Sequence, residues 1–156
     1  MADSVDEHGI DAFYRSFSAG QTLYYAGAPA GELYLIRQGQ VQLFKRARGV
    51  ERSIGVYGVE EIVGEEALVP GSHRSAMARA IEPVRALVIE SDTFRALVRR
   101  RPELGEGVMQ QLVRRLRRAE EQTENFLLPD PTIRVLNTLL RSLEDGAEGP
   151  LDLSPL

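Results

Sequence analysis

Glu65 and Arg74 stand at the two ends of one short loop, in the stretch GEEALVPGSHRSA from Gly64 to Ala76. A carboxylate only accepts hydrogen bonds, so Glu65 suits a sugar hydroxyl and not a phosphate. An arginine presents a planar fork of donors matched to phosphate oxygens. Gly64 lets a ligand approach the backbone closely. If Glu65-Glu66-Ala67-Leu68 forms a helical turn, its free N–H groups face an anion. A ligand with a ribose beside a phosphate would engage all these groups together. Arg74 with several backbone donors could support micromolar binding, about 8 kcal/mol. The competing reading is an ion pair of Glu65 and Arg74 with each other or with neighbours. The state of Arg74 separates the two. An Arg74 that is free and faces a concave, unfilled pocket favours sensing. A salt bridge to Glu65, or cover by side chains such as Met77, favours a module that binds no ligand.

Little else in the chain could do chemistry. It holds no Ser/His/Asp set, phosphate-binding glycine loop or paired-carboxylate site, so no catalytic residue is expected and the reading is not an enzyme. The absence of cysteine excludes disulfides, thiolate nucleophiles and cysteine-ligated clusters within this chain. With His8 and His73 the only histidines, no metal site is expected. His73, beside Arg74, reads as an exposed loop residue that could touch a ligand or respond to pH. Tyr14, Tyr24 and Tyr25 read as packing residues with a wet hydroxyl. A formal net charge of -4 does not suit nucleic-acid binding by the chain as a whole. The run Arg114-Arg115-Leu116-Arg117-Arg118 sits among Glu120, Glu121 and Glu124 at helical spacing and reads as a solvated, ion-paired face. Arg99-Arg100-Arg101 fits a helix C-terminus without any partner. No apolar run approaches the ~20 residues of a membrane span, and MADSVDEHG lacks the pattern of a secretory signal. No membrane contact and a cytoplasmic location are the expectation.

The elements that must position Glu65 and Arg74 fall in two halves. Before Ser91, glycines recur between short β-prone runs, which reads as an all-β roll or sandwich. Leu33–Arg37, the turn Gln38-Gly39 and Gln40–Lys45 form the clearest hairpin, with Phe44 breaking the alternation of Val41 and Leu43. Arg52–Val56, Glu61–Val63, Ser75–Ala80 and Val84–Glu90 are further predicted strands. Gly58 and Gly71 are expected in turns that need positive φ. Ser91-Asp92-Thr93 signals a short helix that stops before Pro102. Pro102 opens a long helix to about Phe126, and Asp130-Pro131 caps and opens a third over Thr132–Leu143. At 43% hydrophobic residues the chain can fill a core.

On the long helix, Val108, Leu112, Arg115, Ala119, Gln122 and Phe126 recur at alternating spacings of four and three. This is the spacing of a coiled-coil seam, polar at Arg115 and Gln122. Met109, Leu112, Val113 and Leu116 form a neighbouring apolar stripe. One stripe can pack the chain's own domain and the other a partner helix, so a homodimer is expected. A single wide core-facing stripe in a monomer is the plainer alternative.

The ordered series Phe17, Gly20, Leu23, Gly27, then Leu33-Tyr34-Leu35-Ile36 and Gly39, then Gly58, Gly64-Glu65 and Arg74-Ser75-Ala76, ahead of a helix with VRRLRRAEE, resembles a known pattern. It is similar to the cyclic-nucleotide-binding β-roll of the cyclic-AMP receptor protein/FNR superfamily, from about Phe17 to Leu143. The resemblance implies a mainly β fold with added helices: a double-stranded β-helix, or jelly-roll-like β-roll, followed by a long dimerisation helix and a shorter one. It implies residues 1–101 as the β-roll with flanking helices and 102–128 as the dimerisation helix. Residues 129–156 would be a hinge, a helix and the start of a missing DNA-binding domain. It also implies that Glu65 takes the ribose 2′-hydroxyl, Arg74 the cyclic phosphate and Ser75 a further bond, with backbone from Gly64, Glu66 and Ala67.

Two departures follow. Where the family's long helix offers a threonine and a serine to adenine, this chain has Ala119 and Glu120, which cannot copy a pair of hydroxyls. Cyclic AMP, cyclic GMP, cyclic di-GMP, another phosphorylated small molecule or no ligand therefore stay open as effector. The family's winged helix-turn-helix would begin where this sequence ends, so DNA contact is expected only through a domain absent from this chain. The expectation is an effector-sensing and dimerisation domain of a transcription regulator that passes its ligand state through the long helix. The alternative is a ligand-free β-roll module for dimerisation or protein interaction.

Overall fold

A computed structural model describes residues 13–126 and 131–144 of the chain. His8, the break at Leu127–Asp130 and the tail after Glu144 lie outside the described residues, as does the side chain of Phe126. The chain divides into two compact units between Glu106 and Gly107.

The first unit holds eight strands: β1 (Tyr14–Phe17), β2 (Thr22–Tyr24), β3 (Glu32–Gln38), β4 (Val41–Ala47), β5 (Val50–Tyr57), β6 (Ile62–Val63), β7 (Met77–Ala80) and β8 (Val84–Glu90). They form two four-stranded antiparallel sheets, in the orders β1-β8-β3-β6 and β2-β7-β4-β5. The β-roll expected from the glycine punctuation is therefore present. Period-two alternation sends Tyr34 and Ile36 of β3, Val41 and Leu43 of β4, Ala78 and Ala80 of β7, and Val84, Ala86 and Val88 of β8 into one shared core. Ala76, Ala78, Ala80 and Ala86 share that core with Phe17, Tyr24 and Tyr34, small residues beside large ones. Fully burying a side chain such as Ile36 or Val63 contributes about 1.5–3 kcal/mol.

The β3–β4 hairpin turns at Gly39, whose φ of +81° is left-handed, and a Cβ there would lie 2.2 Å from the Pro83 carbonyl oxygen. Only glycine fits that turn. The broken alternation at Phe44 has a local cause. The β4–β5 register shifts between Leu43 and Phe44, leaving Ile54 as an extra residue on β5. Phe44 is then half-buried beneath the Arg79 guanidinium, 5.0 Å from its ring centroid. One turn differs from expectation. Gly71 has φ +72°, but Gly58 does not have positive φ; Glu60 does, at +67°. The turn is closed instead by the Gly58 N–H donating 2.8 Å to the Glu61 carboxylate, so the left-handed residue falls two places later.

Helix α1 (Ser91–Arg100) starts where its signal sits, with Glu90 as the extended residue before it and Asp92 paired to Arg95 at 2.7 Å. It packs on β8 and on the turn at Glu65–Leu68, burying Phe94. Helix α2 runs over Pro102–Phe126, so Pro102 is its first residue as the sequence requires. The second unit takes in most of α2 and all of α3 (Pro131–Glu144). Among the described residues, no helix is long and apolar enough to cross a membrane.

Candidate functional site

The Gly64–Ala76 stretch folds as a 3₁₀ turn, Glu65–Leu68, a loop, and the lead-in to β7. Gly64 precedes the turn in the left-handed region, with φ 81° and ψ 26°. The Ala67 N–H donates to the Gly64 carbonyl at 3.1 Å, so Ala67's backbone is engaged within the turn. The far end is pinned by a short antiparallel pairing. Gly27 N–H donates to the Arg74 carbonyl, Arg74 N–H to the Ala28 carbonyl, both at 2.8 Å, and Ala30 N–H to the Ser72 carbonyl at 3.0 Å. The Ser72 hydroxyl closes the loop on the Glu66 carbonyl.

These constraints place Arg74 in the interior. It is only 4% exposed, the one charged residue among the buried described residues. Its Nη1 donates to the Gly64 carbonyl at 2.8 Å and its Nη2 to the Glu32 carbonyl at 2.6 Å. Its guanidinium lies over Tyr24, 4.2 Å from the ring centroid, and 5.8 Å from that of Tyr34. Such stacking contributes about 0.5–2 kcal/mol and fixes the plane of the fork. Arg74 Nε is buried and makes no hydrogen bond. A glycine is obligatory at 64, since a Cβ there would lie 2.5 Å from Arg74 Nη1 and 3.1 Å from the Glu32 carbonyl oxygen.

Arg74 also faces the carboxylate of Glu66. Glu66 Oε2 lies 3.7 Å from Nη1, beyond hydrogen-bonding distance. Glu66 Oε1 accepts from the Ser75 N–H at 3.1 Å and the Ser75 hydroxyl at 2.7 Å. Burial pushes the Glu66 carboxyl up, but the bonds from Ser75 and its own N–H, with the charge of Arg74, hold it below its usual range. Met77 is half-buried on β7 opposite Phe44, with its sulfur 3.8 Å from Arg79 Nη2. Glu65 is half-buried at the start of the turn, and His73 and Ser75 are exposed.

Behind Arg74 lies a network with little trace in the sequence. Arg15 on β1 grips the Glu32 carboxylate with two bonds, of 3.1 and 2.7 Å, and the Tyr34 hydroxyl donates to the same group at 2.9 Å. Burial and donation to Glu32 push the Tyr34 hydroxyl up to about 12. Burial raises the Glu32 carboxyl, but the bonds from Arg15 and Tyr34 and the charges of Arg15 and Arg74 outweigh it, leaving it below its usual range. Glu32 thus anchors β1 to β3 with its side chain and holds Arg74 with its carbonyl. The strand expected over Leu33–Arg37 left Glu32 just outside it, and nothing in the sequence marked its link to Arg74, 42 residues away.

The structure thus brings Gly64, Glu66, Arg74 and Ser75 into contact, with Glu65 and Ala67 on the same turn. Ala119 and Glu120 lie in the second unit, both exposed on α2. Of the seam residues, Val108 is buried, Arg115 is half-buried, and Leu112, Ala119 and Gln122 are exposed. Met109, Val113 and Leu116 beside them are exposed as well. Among the described residues, no group of acids and histidines could hold a metal ion.

Residues 14–101 match the family described as "Cyclic nucleotide-binding domain". The chain is 33% identical over 138 residues to the "Cyclic AMP receptor protein" of Thermus thermophilus, covering 88% of this chain and 63% of that one. It is 32% identical over 126 residues to a "CRP-like cAMP-activated global transcriptional regulator" of Mycobacterium tuberculosis, covering 80% and 56%. The chain thus spans about three-fifths of the length of these relatives. Among solved structures, the Thermus thermophilus catabolite activator protein superposes with a TM-score of 0.65 at 29% identity, over 93% of this chain and 71% of that one. The c-di-GMP-responsive regulator CLP of Xanthomonas campestris shares the fold, with a TM-score of 0.72 at 23% identity over 88% and 68%.

Proposed function

The chain belongs to the cyclic nucleotide-binding domain family, and on that footing we propose that it is the effector-sensing and dimerisation part of a CRP/FNR-type transcription regulator. The observation that carries this reading is the state of Arg74. Arg74, 4% exposed, is held by two backbone carbonyls, with Nε unbonded and the Glu66 carboxylate 3.7 Å from Nη1. Burying a cation is costly unless an anion compensates it, and a docking phosphate would supply that anion. Glu65, on the 3₁₀ turn, would accept from the ribose hydroxyl and Ser75 would donate to the phosphate. The effector is a cyclic nucleotide. Cyclic AMP, cyclic GMP and cyclic di-GMP are the candidates, and Ala119 and Glu120, at the family's base-reading positions, would choose among them.

The proposed signal runs through α2. Ligand on Arg74 and Glu65 would shift the turn at Glu65–Leu68, on which α1 packs through a bond from Arg95 Nη2 to the Leu68 carbonyl at 3.2 Å. That shift would bias a dimer formed along Leu112, Arg115, Ala119, Gln122 and Phe126. The exposed stripe of Met109, Val113 and Leu116 supports a partner helix there. We assign DNA recognition to none of the described residues, and the proposed regulator works in the cytoplasm. A thermal-shift screen with the three nucleotides tests the reading. Effector at 100 times its Kd should add about 2.7 kcal/mol of stability, and Arg74→Ala should abolish the gain. One observation favours the second reading, a ligand-free interaction module: both Ser75 donors are already engaged by Glu66.

A further inference from the structure

That engagement has a specific form. Three groups suited to an anion converge beside the loop: the Ser75 N–H, the Ser75 hydroxyl and the Arg74 guanidinium. The Glu66 carboxylate meets all three, with Oε1 at 3.1 and 2.7 Å from the two Ser75 donors and Oε2 at 3.7 Å from Arg74 Nη1. The pairing is imperfect. Oε2 makes no hydrogen bond, and Arg74 Nε stays buried and unbonded. The Glu66 backbone is fixed independently, its carbonyl accepting from the Val69 N–H at 3.0 Å and from the Ser72 hydroxyl. Its side chain is 23% exposed and can turn out to water without unfolding the 3₁₀ turn.

We propose that the Glu66 side chain is an internal anion that occupies the phosphate donors of the empty site, so that an anionic effector binds only by displacing it. Glu66 therefore sets the affinity threshold of this sensor. The inference rests on the reading of the loop as a phosphate site. It reconciles the engaged Ser75 with that reading, because donors that hold a carboxylate in the empty state are the donors a phosphate needs. A cyclic phosphodiester carries two charged oxygens, as the carboxylate does, so it can replace Glu66 oxygen for oxygen at Ser75 and Arg74. Displacing Glu66 also breaks its two bonds to Ser75, so effector binding is felt at both ends of the loop, at the turn on which α1 packs and at the lead-in to β7.

Glu66→Gln keeps the shape and an acceptor for Ser75 but removes the competing charge, and Glu66→Ala removes the contact altogether. The experiment is calorimetric titration of the full chain and both variants with cyclic AMP, cyclic GMP and cyclic di-GMP. Folding of each protein is checked by its thermal melt. Glu51→Gln, on β5, controls for the loss of one negative charge anywhere on the roll. The expected result is that the nucleotide bound by the parent binds Glu66→Gln or Glu66→Ala about tenfold or more tightly, a change of one charge-assisted contact. Glu51→Gln should change affinity by less than about twofold. Binding by the Glu66 variants alone would support the inference too. If the parent binds and both Glu66 variants bind no more tightly, Glu66 is no competitor and only this inference fails. If parent and variants all ignore the three nucleotides, the phosphate-site reading fails and the inference falls with it.

Discussion

Replacing Gly64 with alanine isolates how tightly the loop is built around Arg74. At φ +81° an alanine pays the left-handed penalty of about 1–2 kcal/mol. Its Cβ would also stand 2.5 Å from Arg74 Nη1, a contact that cannot exist. The guanidinium cannot retreat freely, because Nη1 and Nη2 are held at 2.8 and 2.6 Å by the Gly64 and Glu32 carbonyls and its face lies on Tyr24. Losing one of those buried charged bonds costs about 1.5–3 kcal/mol more. Gly71→Ala supplies the reference. Its φ is +72° and an added Cβ would meet nothing within 4 Å, so it pays the backbone term alone. Gly64→Ala should therefore be less stable than Gly71→Ala by about 2 kcal/mol, or about 4–8 °C in Tm for a domain of this size. Urea denaturation and thermal melts followed by circular dichroism measure both. Equal destabilisation by the two substitutions would refute a Gly64 fitted against Arg74.

Four further outcomes are expected. Tyr34→Phe removes the donor to Glu32 and should cost about 1 kcal/mol in urea denaturation; an ultraviolet pH titration should show the parent's slowest tyrosine ionising near 12 and the variant lacking it. Glu32 and Glu66 have folded-state carboxyls below their usual range, so their stabilisation is complete above about pH 5, past the ordinary glutamate value, and is lost as pH falls through the depressed values. Glu32→Gln should accordingly flatten the acid side of the stability–pH curve, and an unchanged acid limb would contradict the network. Leu112→Glu places a charge in the exposed α2 seam and should shift sedimentation from dimer toward monomer without lowering the melt of the β-roll. Glu120→Ala should change the relative affinities for the three nucleotides while leaving Arg74-dependent binding intact, as read by competition titration.

What could be read from the sequence was whatever depends on neighbours along the chain. Gly39 and the strands beside it obey turn chemistry and period-two alternation, and Pro102 and Pro131 open helices by the fixed φ of proline. The loop could be read because Gly64, Glu65, Arg74 and Ser75 lie within one short stretch. What escaped is carried by contacts distant in sequence. Arg15, Glu32 and Tyr34 come from two strands, and only the pairing of β1 and β3 with β8 assembles them into one sheet around Arg74. Glu66 was expected to act through its backbone, and its side chain is what engages Ser75 and faces Arg74. The run Gly-Glu-Glu held the signal, two adjacent acids where one suffices for a sugar. Gly58 shows the limit of reading a turn from composition. The side chain of Glu61 closes that turn, and the left-handed φ falls on Glu60.

The most direct test of the account is a calorimetric titration of the parent and of Arg74→Ala with cyclic AMP, cyclic GMP and cyclic di-GMP. One of the nucleotides should bind the parent with a Kd in the micromolar range, about −8 kcal/mol, and fail to bind a folded Arg74→Ala protein. Equal binding by both proteins, or no heat from any of the three, would contradict a phosphate site built on Arg74.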